Sequence, residues 1–112
     1  MKIVMVGTGY VGLVSGLCFA EFGFDTLCID KDQSRLNNIA KGVCPFFEPG
    51  LDDLLVKHLN STKRFSLSNN LSESLKEVDV VFITVGTPTK RLENEADLKD
   101  VFKVAEEISE NI

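Results

Sequence analysis

The sequence predicts an α/β fold with a doubly wound parallel sheet, and two observations support this prediction. Short apolar runs alternate with longer stretches of helical periodicity along the 112 residues, which is the pattern of repeated strand and helix units. The apolar runs at 3–6 and 80–83 have no polar side that could face water, as expected for strands covered on both faces. In the usual arrangement of such folds the four predicted strands lie in the order 3-2-1-4.

The first half of the chain supplies two strands and two helices. Strand 1 is predicted at 2–6 and the first helix at 10–22. Strand 2 is predicted at 25–29 and the second helix at 32–41. A glycine directly follows each helix and is expected to end it, because glycine is favoured just beyond a helix C-terminus.

The second half continues the alternation with shorter elements. Pro49 suits the first position of a helix, where the missing N–H of proline has no cost. A weak third strand is predicted at 64–67 and a short helix at 70–77. The fourth strand is predicted at 80–85, and Asp97 is expected to cap the last helix.

Composition argues against several classes of function. The formal net charge is −5 and the basic residues are scattered, so the sequence lacks the basic stripe of a nucleic-acid-binding protein. With a single histidine and no C-x-x-C pair, the sequence has no metal-ligand spacing. Cys18, Cys28 and Cys44 are expected to be buried, reduced thiols, which favours a cytoplasmic protein.

The uncharged stretch at 3–20 has the composition of a membrane helix or a secretory signal, but its glycines argue against both. Gly7, Gly9, Gly12 and Gly16 would weaken an apolar helix, because glycine is a poor helix former. A strand, a tight turn and a helix need glycine at these positions. The sequence therefore predicts no membrane association.

A glycine-rich turn is the most informative feature of the chain. Residues 7–12 read G-T-G-Y-V-G directly after strand 1 and at the start of a helix, which is the dinucleotide-binding fingerprint of a Rossmann-like fold. Gly7 is expected to allow the tight turn, Gly9 the approach of a pyrophosphate, and Gly12 the close packing of helix on sheet. The helix N-terminus would offer free N–H groups to the phosphates. A glycine-rich turn without a ligand is the alternative.

An acidic residue completes the fingerprint. Asp30 ends strand 2, where a carboxylate can accept hydrogen bonds from the adenosine ribose and repel a 2′-phosphate. NAD is therefore predicted in preference to NADP. Lys31 and Arg35 weaken this preference, because nearby cations can hold a phosphate. Arg35 could also reach the ribose or pyrophosphate, and a solvated surface cation is the alternative for both Lys31 and Arg35.

The turn after strand 4 is predicted to line the opposite side of the same crevice. Ligands of doubly wound sheets bind where the strand order reverses, between the ends of strands 1 and 4. Gly86 would allow close approach, and Thr87 would offer a hydroxyl and an N–H group. A simple turn at 86–89 is the alternative.

The remaining candidates are weaker. His58 lies on an apolar helix face and is expected to pack rather than react. Phe46 and Phe47 are expected to form a small hydrophobic plug, and Glu48 could be an active-site acid or a helix cap. No cysteine has a base beside it in sequence, so no catalytic residue is predicted within the chain.

Three blocks of sequence resemble one known family. They are G-T-G-Y-V-G-L at 7–13, E-P-G-L at 48–51 and V-G-T-P-T at 85–89, and with Asp30 they resemble the UDP-glucose/GDP-mannose dehydrogenase family over essentially the whole chain. The resemblance implies oxidation of a nucleotide sugar's primary alcohol to a carboxylate with two NAD per turnover. It also implies NAD contacts from five residues, namely Tyr10, Val11, Asp30, Arg35 and Thr87. Arg35 stands where the family often has lysine.

The same resemblance implies that the chain is incomplete. The family's catalytic cysteine, lysine and substrate-binding glutamate correspond to segments beyond residue 112, as do the central helix and the second domain that form the homodimer. Strand 4 would be an unblunted apolar edge here, which fits a sheet truncated before strand 5. Pairing of this edge in a dimer is the alternative reading of strand 4.

Residues 1–112 are thus expected to be the N-terminal NAD-binding part of a longer enzyme, inactive alone. UDP-glucose is the expected substrate, ahead of GDP-mannose and UDP-N-acetylmannosamine. A regulatory NAD-sensing module is the alternative from another class.

Overall fold

The computed structural model describes residues 1–86 and 98–111 and contains one parallel sheet of four strands. The strands are β1 (Lys2–Val6), β2 (Asp25–Ile29), β3 (Phe65–Ser68) and β4 (Val80–Ile83). Their order is β3-β2-β1-β4, so the predicted doubly wound α/β fold with order 3-2-1-4 is confirmed. Among the described residues, β4 lies at the edge of the sheet.

Helices connect these strands. They are α1 (Tyr10–Glu21), α2 (Gln33–Ala40), α3 (Leu51–Val56), α4 (Leu71–Ser74) and α5 (Lys99–Asn111). A π-helical turn at Lys57–Ser61 continues α3. None of the helices in the described part of the chain combines the length and the apolar character needed to cross a bilayer.

The side chains of β1 alternate between two cores, one on each face of the sheet. Ile3 and Met5 pack into the core formed with α1 and α3, which includes Leu13, Leu17 and Leu55. Val4 and Val6 pack into the core on the other face, formed with α4 and α5 and including Leu71, Leu75 and Val104. Burial on both faces explains why β1 reads as a continuous apolar run.

The structure corrects several predicted boundaries. Pro49 precedes its helix, which begins at Leu51, because Gly50 occupies the N-cap position with a left-handed φ of +82°. The helix predicted at 70–77 is the single turn Leu71–Ser74, and β4 ends at Ile83 rather than at 85. Asp97, the predicted cap of the last helix, lies outside the described residues.

Two predictions about side-chain burial were only partly right. Of the three free cysteines, Cys28 is buried, whereas Cys18 and Cys44 are only half-buried. Phe46 packs against the ring of Tyr10 at a centroid distance of 5.1 Å, but Phe47 is 89% exposed. Phe47 is therefore not part of a hydrophobic plug.

The cap of α2 makes a testable contribution to stability. Asp32 precedes the helix, and its carboxylate accepts a hydrogen bond from the N–H of Arg35 at 3.1 Å. We expect Asp32→Ala to lower the free energy of unfolding by about 1 kcal/mol, because that N–H loses its partner. Urea denaturation measures this change. Asp32→Asn keeps a hydrogen-bond acceptor, so its free energy of unfolding should fall much less. Equal decreases in the two variants would contradict the capping role.

His58 is a packing residue, as predicted, and it has two polar partners. The residue is 1% exposed, with Nε2 lying 2.6 Å from Glu21 Oε2 and Nδ1 lying 2.7 Å from Thr62 Oγ1. Lys57 Nζ donates to the same carboxylate at 3.0 Å. Glu21 ends α1, so these contacts hold the last turn of α1 against the π-helical turn.

This cluster predicts a component of acid denaturation. The hydrogen bond with His58, helped by Lys57, lowers the pKa of Glu21 below its ordinary value of 4.5. A carboxyl whose pKa is lower in the folded state stabilises the fold above its unfolded pKa, and this contribution is lost as the pH falls through the folded pKa. We expect Glu21→Gln to flatten the dependence of the unfolding free energy on pH below about 4.5. An unchanged slope for Glu21→Gln in acid would refute this assignment.

Candidate functional site

The carboxyl ends of the central strands meet around one cavity of about 670 Å³. Backbone hydrogen bonds continue the sheet to its rim, since the N–H of Gly7 donates to the carbonyl of Ile29 at 2.7 Å. The N–H of Thr84 likewise donates to the carbonyl of Val6 at 2.8 Å. The cavity therefore lies at the reversal of strand order, between β1 and β4, where ligands of this architecture bind.

Most of the residues predicted to bind the cofactor come together here. Seven of them line the cavity: Gly7, Gly9, Tyr10, Val11, Asp30, Arg35 and Gly86. Gly12 lies in the first turn of α1 beneath the rim and is buried. Thr87 lies outside the described residues.

The first and third glycines are needed by the fold itself. Gly7 has a φ of +114°, and a Cβ there would lie 2.7 Å from the carbonyl oxygen of Thr84. A Cβ on Gly12 would overlap the carbonyl oxygen of Gly7 and lie 2.5 Å from Thr84 Oγ1. The start of α1 can thus pack onto the ends of β1 and β4 only because side chains are missing at these two positions.

The second glycine is different, because the fold does not need it. Gly9 is the N-cap of α1 with an ordinary φ of −71°, and a Cβ there would meet nothing within 4 Å. No side chain caps this end of α1, and its first turn carries no acidic residue. The helix therefore presents its N–H groups and the positive end of its dipole toward an open cradle that suits a pyrophosphate.

Asp30 is held firmly at the end of β2. The hydroxyl and the N–H of Thr8 donate to Oδ2 at 2.5 and 3.1 Å, and the N–H of Asp32 donates to Oδ1 at 2.9 Å. Burial alone would raise the pKa of Asp30, but these hydrogen bonds and nearby Arg35 outweigh burial and lower it. Asp30 is therefore ionised at neutral pH and oriented toward the cavity that it lines.

Tyr10 links the glycine turn to the segment before α3. Its hydroxyl donates to Glu48 Oε2 at 3.0 Å, and this hydrogen bond raises the pKa of the phenol. The ring also packs on Phe46. Glu48 thus holds the exposed ring of Tyr10 at the rim of the cavity, a role that was not predicted from sequence.

Several residues at the cavity were missed by sequence reasoning. Thr8 occupies a variable position of the glycine pattern, yet it is fully buried and contacts Asp30. Thr84 donates from its hydroxyl to the carbonyl of Val6 at 2.9 Å. Asn69, Lys103 and Glu107 reach the cavity from segments far along the chain. Strand pairing and the packing of α5 bring these residues together, so no local pattern could have marked the set.

The surroundings of Cys28 and Cys44 disfavour the nucleophilic thiolate form. Burial raises the pKa of Cys28 far above its ordinary value. Burial, with help from Asp52, raises the pKa of Cys44 to about 12. In residues 1–86 and 98–111, His, Cys, Asp and Glu side chains form no group that could hold a metal ion.

The sequence profile described as "UDP-glucose/GDP-mannose dehydrogenase family, NAD binding domain" matches residues 1–112. The chain belongs to this family. Its fold is accordingly that of the family's NAD-binding domain, and NAD is the cofactor of the family.

Individual relatives of the chain are much longer than 112 residues. It is 48% identical over 112 residues to a UDP-glucose 6-dehydrogenase of Rhizobium meliloti, covering all of this chain and 25% of the relative. Among solved structures, a GDP-mannose dehydrogenase of Pseudomonas aeruginosa superposes with a TM-score of 0.88 at 33% identity, covering 96% of this chain and 24% of that one. A UDP-D-ManNAc dehydrogenase of Pyrococcus horikoshii superposes with a TM-score of 0.88 at 29% identity, covering 100% of this chain and 26% of that one. The chain thus spans about a quarter of the length of these relatives.

Proposed function

We propose that residues 1–112 are the N-terminal NAD-binding part of a dehydrogenase that oxidises UDP-glucose to UDP-glucuronate with two NAD+. The observation that carries the NAD site is the open cradle at Gly9, which faces the cavity beside the oriented carboxylate of Asp30. The identity of 48% to a UDP-glucose 6-dehydrogenase favours UDP-glucose as the substrate.

The residues around the cavity fit NAD. Gly9 and the first turn of α1 would hold the pyrophosphate, because free N–H groups and the helix dipole favour an anion there. Asp30 would accept hydrogen bonds from the adenosine ribose and repel a 2′-phosphate. Arg35, whose positive charge helps to lower the pKa of Asp30, would lie near the same ribose. Gly86 would line the opposite side, and Thr87 is proposed as a further NAD contact on the basis of the family resemblance alone. NAD itself, when bound, supplies the hydride acceptor.

The proposed reaction balances as follows. One primary alcohol, one water and two NAD+ give one carboxylate, two NADH and three H+. The residues that hold the sugar and carry its covalent intermediate are proposed to lie in the rest of the protein. The raised pKa values of Cys28 and Cys44 agree with this proposal, because a protonated thiol is a poor nucleophile.

Two other nucleotide sugars are the main competitors for the substrate. In fold, the chain is as similar to a GDP-mannose dehydrogenase and to a UDP-D-ManNAc dehydrogenase as it is to a UDP-glucose dehydrogenase. Substrate choice would lie outside this chain, because the resemblance to the family implies that the substrate-binding residues lie beyond residue 112. A homodimer and a cytoplasmic location are proposed together with this activity.

The deciding experiment expresses the protein from the intact reading frame that carries this chain and follows the formation of NADH by its absorbance. NAD would be supplied with UDP-glucose, GDP-mannose or UDP-N-acetylmannosamine in separate reactions, and residues 1–112 alone would be the control. Two NADH per UDP-glucose from the long form and none from the short form would support the proposal. Turnover of another sugar would correct the substrate. NAD binding without any turnover would favour an NAD-sensing module instead.

A further inference from the structure

Thr8 occupies a variable position of the glycine turn, and it is a buried polar residue. It lies between Gly7 and Gly9, and its side chain is 0% exposed. Both of its donors point to one atom, since the hydroxyl and the main-chain N–H reach Asp30 Oδ2 at 2.5 and 3.1 Å. The residue therefore links the phosphate turn directly to the acid at the end of β2.

This link restricts what the carboxylate of Asp30 can do. An ionised carboxylate has about four acceptor sites, and Thr8 occupies two of them while the N–H of Asp32 takes a third on Oδ1. The freest acceptor site then lies on Oδ1, which identifies the oxygen available to a ribose hydroxyl. With donors on both oxygens, the carboxylate has little freedom to rotate.

We propose that Thr8 is a positioning residue for NAD recognition: its buried hydroxyl locks the carboxylate of Asp30 in the orientation that accepts the adenosine ribose and rejects a 2′-phosphate. The inference rests on the proposed NAD site and concerns a residue that would not touch the cofactor through its side chain. Selectivity for NAD over NADP then depends on a residue of the turn as well as on the acid.

The chain offers a matched pair of variants. Thr8→Val keeps the size and branching of the side chain and the main-chain N–H but removes the hydroxyl donor. Thr8→Ser keeps the hydroxyl and removes only a methyl group. Each variant would be made in the intact protein that carries this chain. Binding of NAD and of NADP would be measured by calorimetry, with circular dichroism confirming the fold.

We expect Thr8→Val to weaken NAD binding roughly ten-fold, because a hydrogen bond to a charged group is lost. NADP binding should change less or improve, so that the ratio of the two affinities falls. Thr8→Ser should stay within about twofold of the unmodified chain in both affinities. In the Asp30→Ala background, Thr8→Val should cause little further loss, since its effect acts through Asp30.

Other results would overturn the inference. Unchanged NAD affinity in Thr8→Val would do so, as would equal losses for NAD and NADP that persist in the Asp30→Ala background, because such losses indicate a structural role alone. A failure of the unmodified chain to bind NAD would instead overturn the proposed function, and this inference with it.

Discussion

The Gly9→Val substitution is expected to abolish NAD binding while the chain stays folded. A Cβ at this position meets nothing within 4 Å, and the φ of −71° is one that valine adopts without strain. The side chain would instead occupy the space in front of the first turn of α1, where the pyrophosphate would approach. We expect a loss of at least about 3 kcal/mol in binding, or more than roughly 100-fold in Kd.

The cost to stability should be much smaller than the cost to binding. Gly9 is the N-cap of α1, and valine is a poor N-cap, so the free energy of unfolding should fall by about 1 kcal/mol. Titration calorimetry with NAD and urea denaturation measure the two effects separately.

The neighbouring Gly12 provides the matched control for Gly9. A Cβ on Gly12 overlaps the carbonyl oxygen of Gly7, so Gly12→Val should disrupt the packing of α1 and lower the cooperativity of unfolding. Substitution at Gly9 is thus expected to remove NAD binding, whereas substitution at Gly12 is expected to destabilise the fold. If Gly9→Val kept an affinity close to that of the unmodified chain, the cradle would not be the phosphate site.

The second large effect is expected from Asp30→Ala. Removal of a carboxylate that accepts from the ribose should weaken NAD binding by about 2 kcal/mol, or roughly 30-fold. NADP binding should improve at the same time. The repulsion of its 2′-phosphate disappears, and Lys31 and Arg35 remain at the cavity with their positive charges.

Asp25→Ala is the matched control for Asp30→Ala. Asp25 is exposed at the other end of the same strand, so the substitution changes the net charge equally without touching the cavity. Both affinities should stay unchanged in this control. Asp30→Ala also leaves the buried hydroxyl of Thr8 without its acceptor, so binding must be measured well below the unfolding midpoint. Equal affinities of Asp30→Ala and the unmodified chain for both nucleotides would refute the ribose assignment.

Much of the fold could be predicted because its signals are local. The bounds of β1 and β2 agree with the predicted ones, since a short apolar run marks a buried strand without reference to the rest of the chain. Where the local sequence signals were weak, the observed boundaries differ from the predicted ones. Gly50 adopts a left-handed conformation that Pro49 alone did not indicate, so α3 begins at Leu51.

The sequence by itself determined the alternation of strands and helices, the glycine turn and the acid at the end of β2, because each depends on neighbours within a few residues. Only the tertiary structure decided how these parts meet. It placed Thr84 against Gly7 and Gly12, Lys103 at the cavity and the hydroxyl of Thr8 on Asp30. Such contacts depend on strand order and register, which pair residues that lie far apart in the chain. Thr8 and Asp30 are 22 positions apart, and pairing of β1 with β2 brings them within hydrogen-bonding distance.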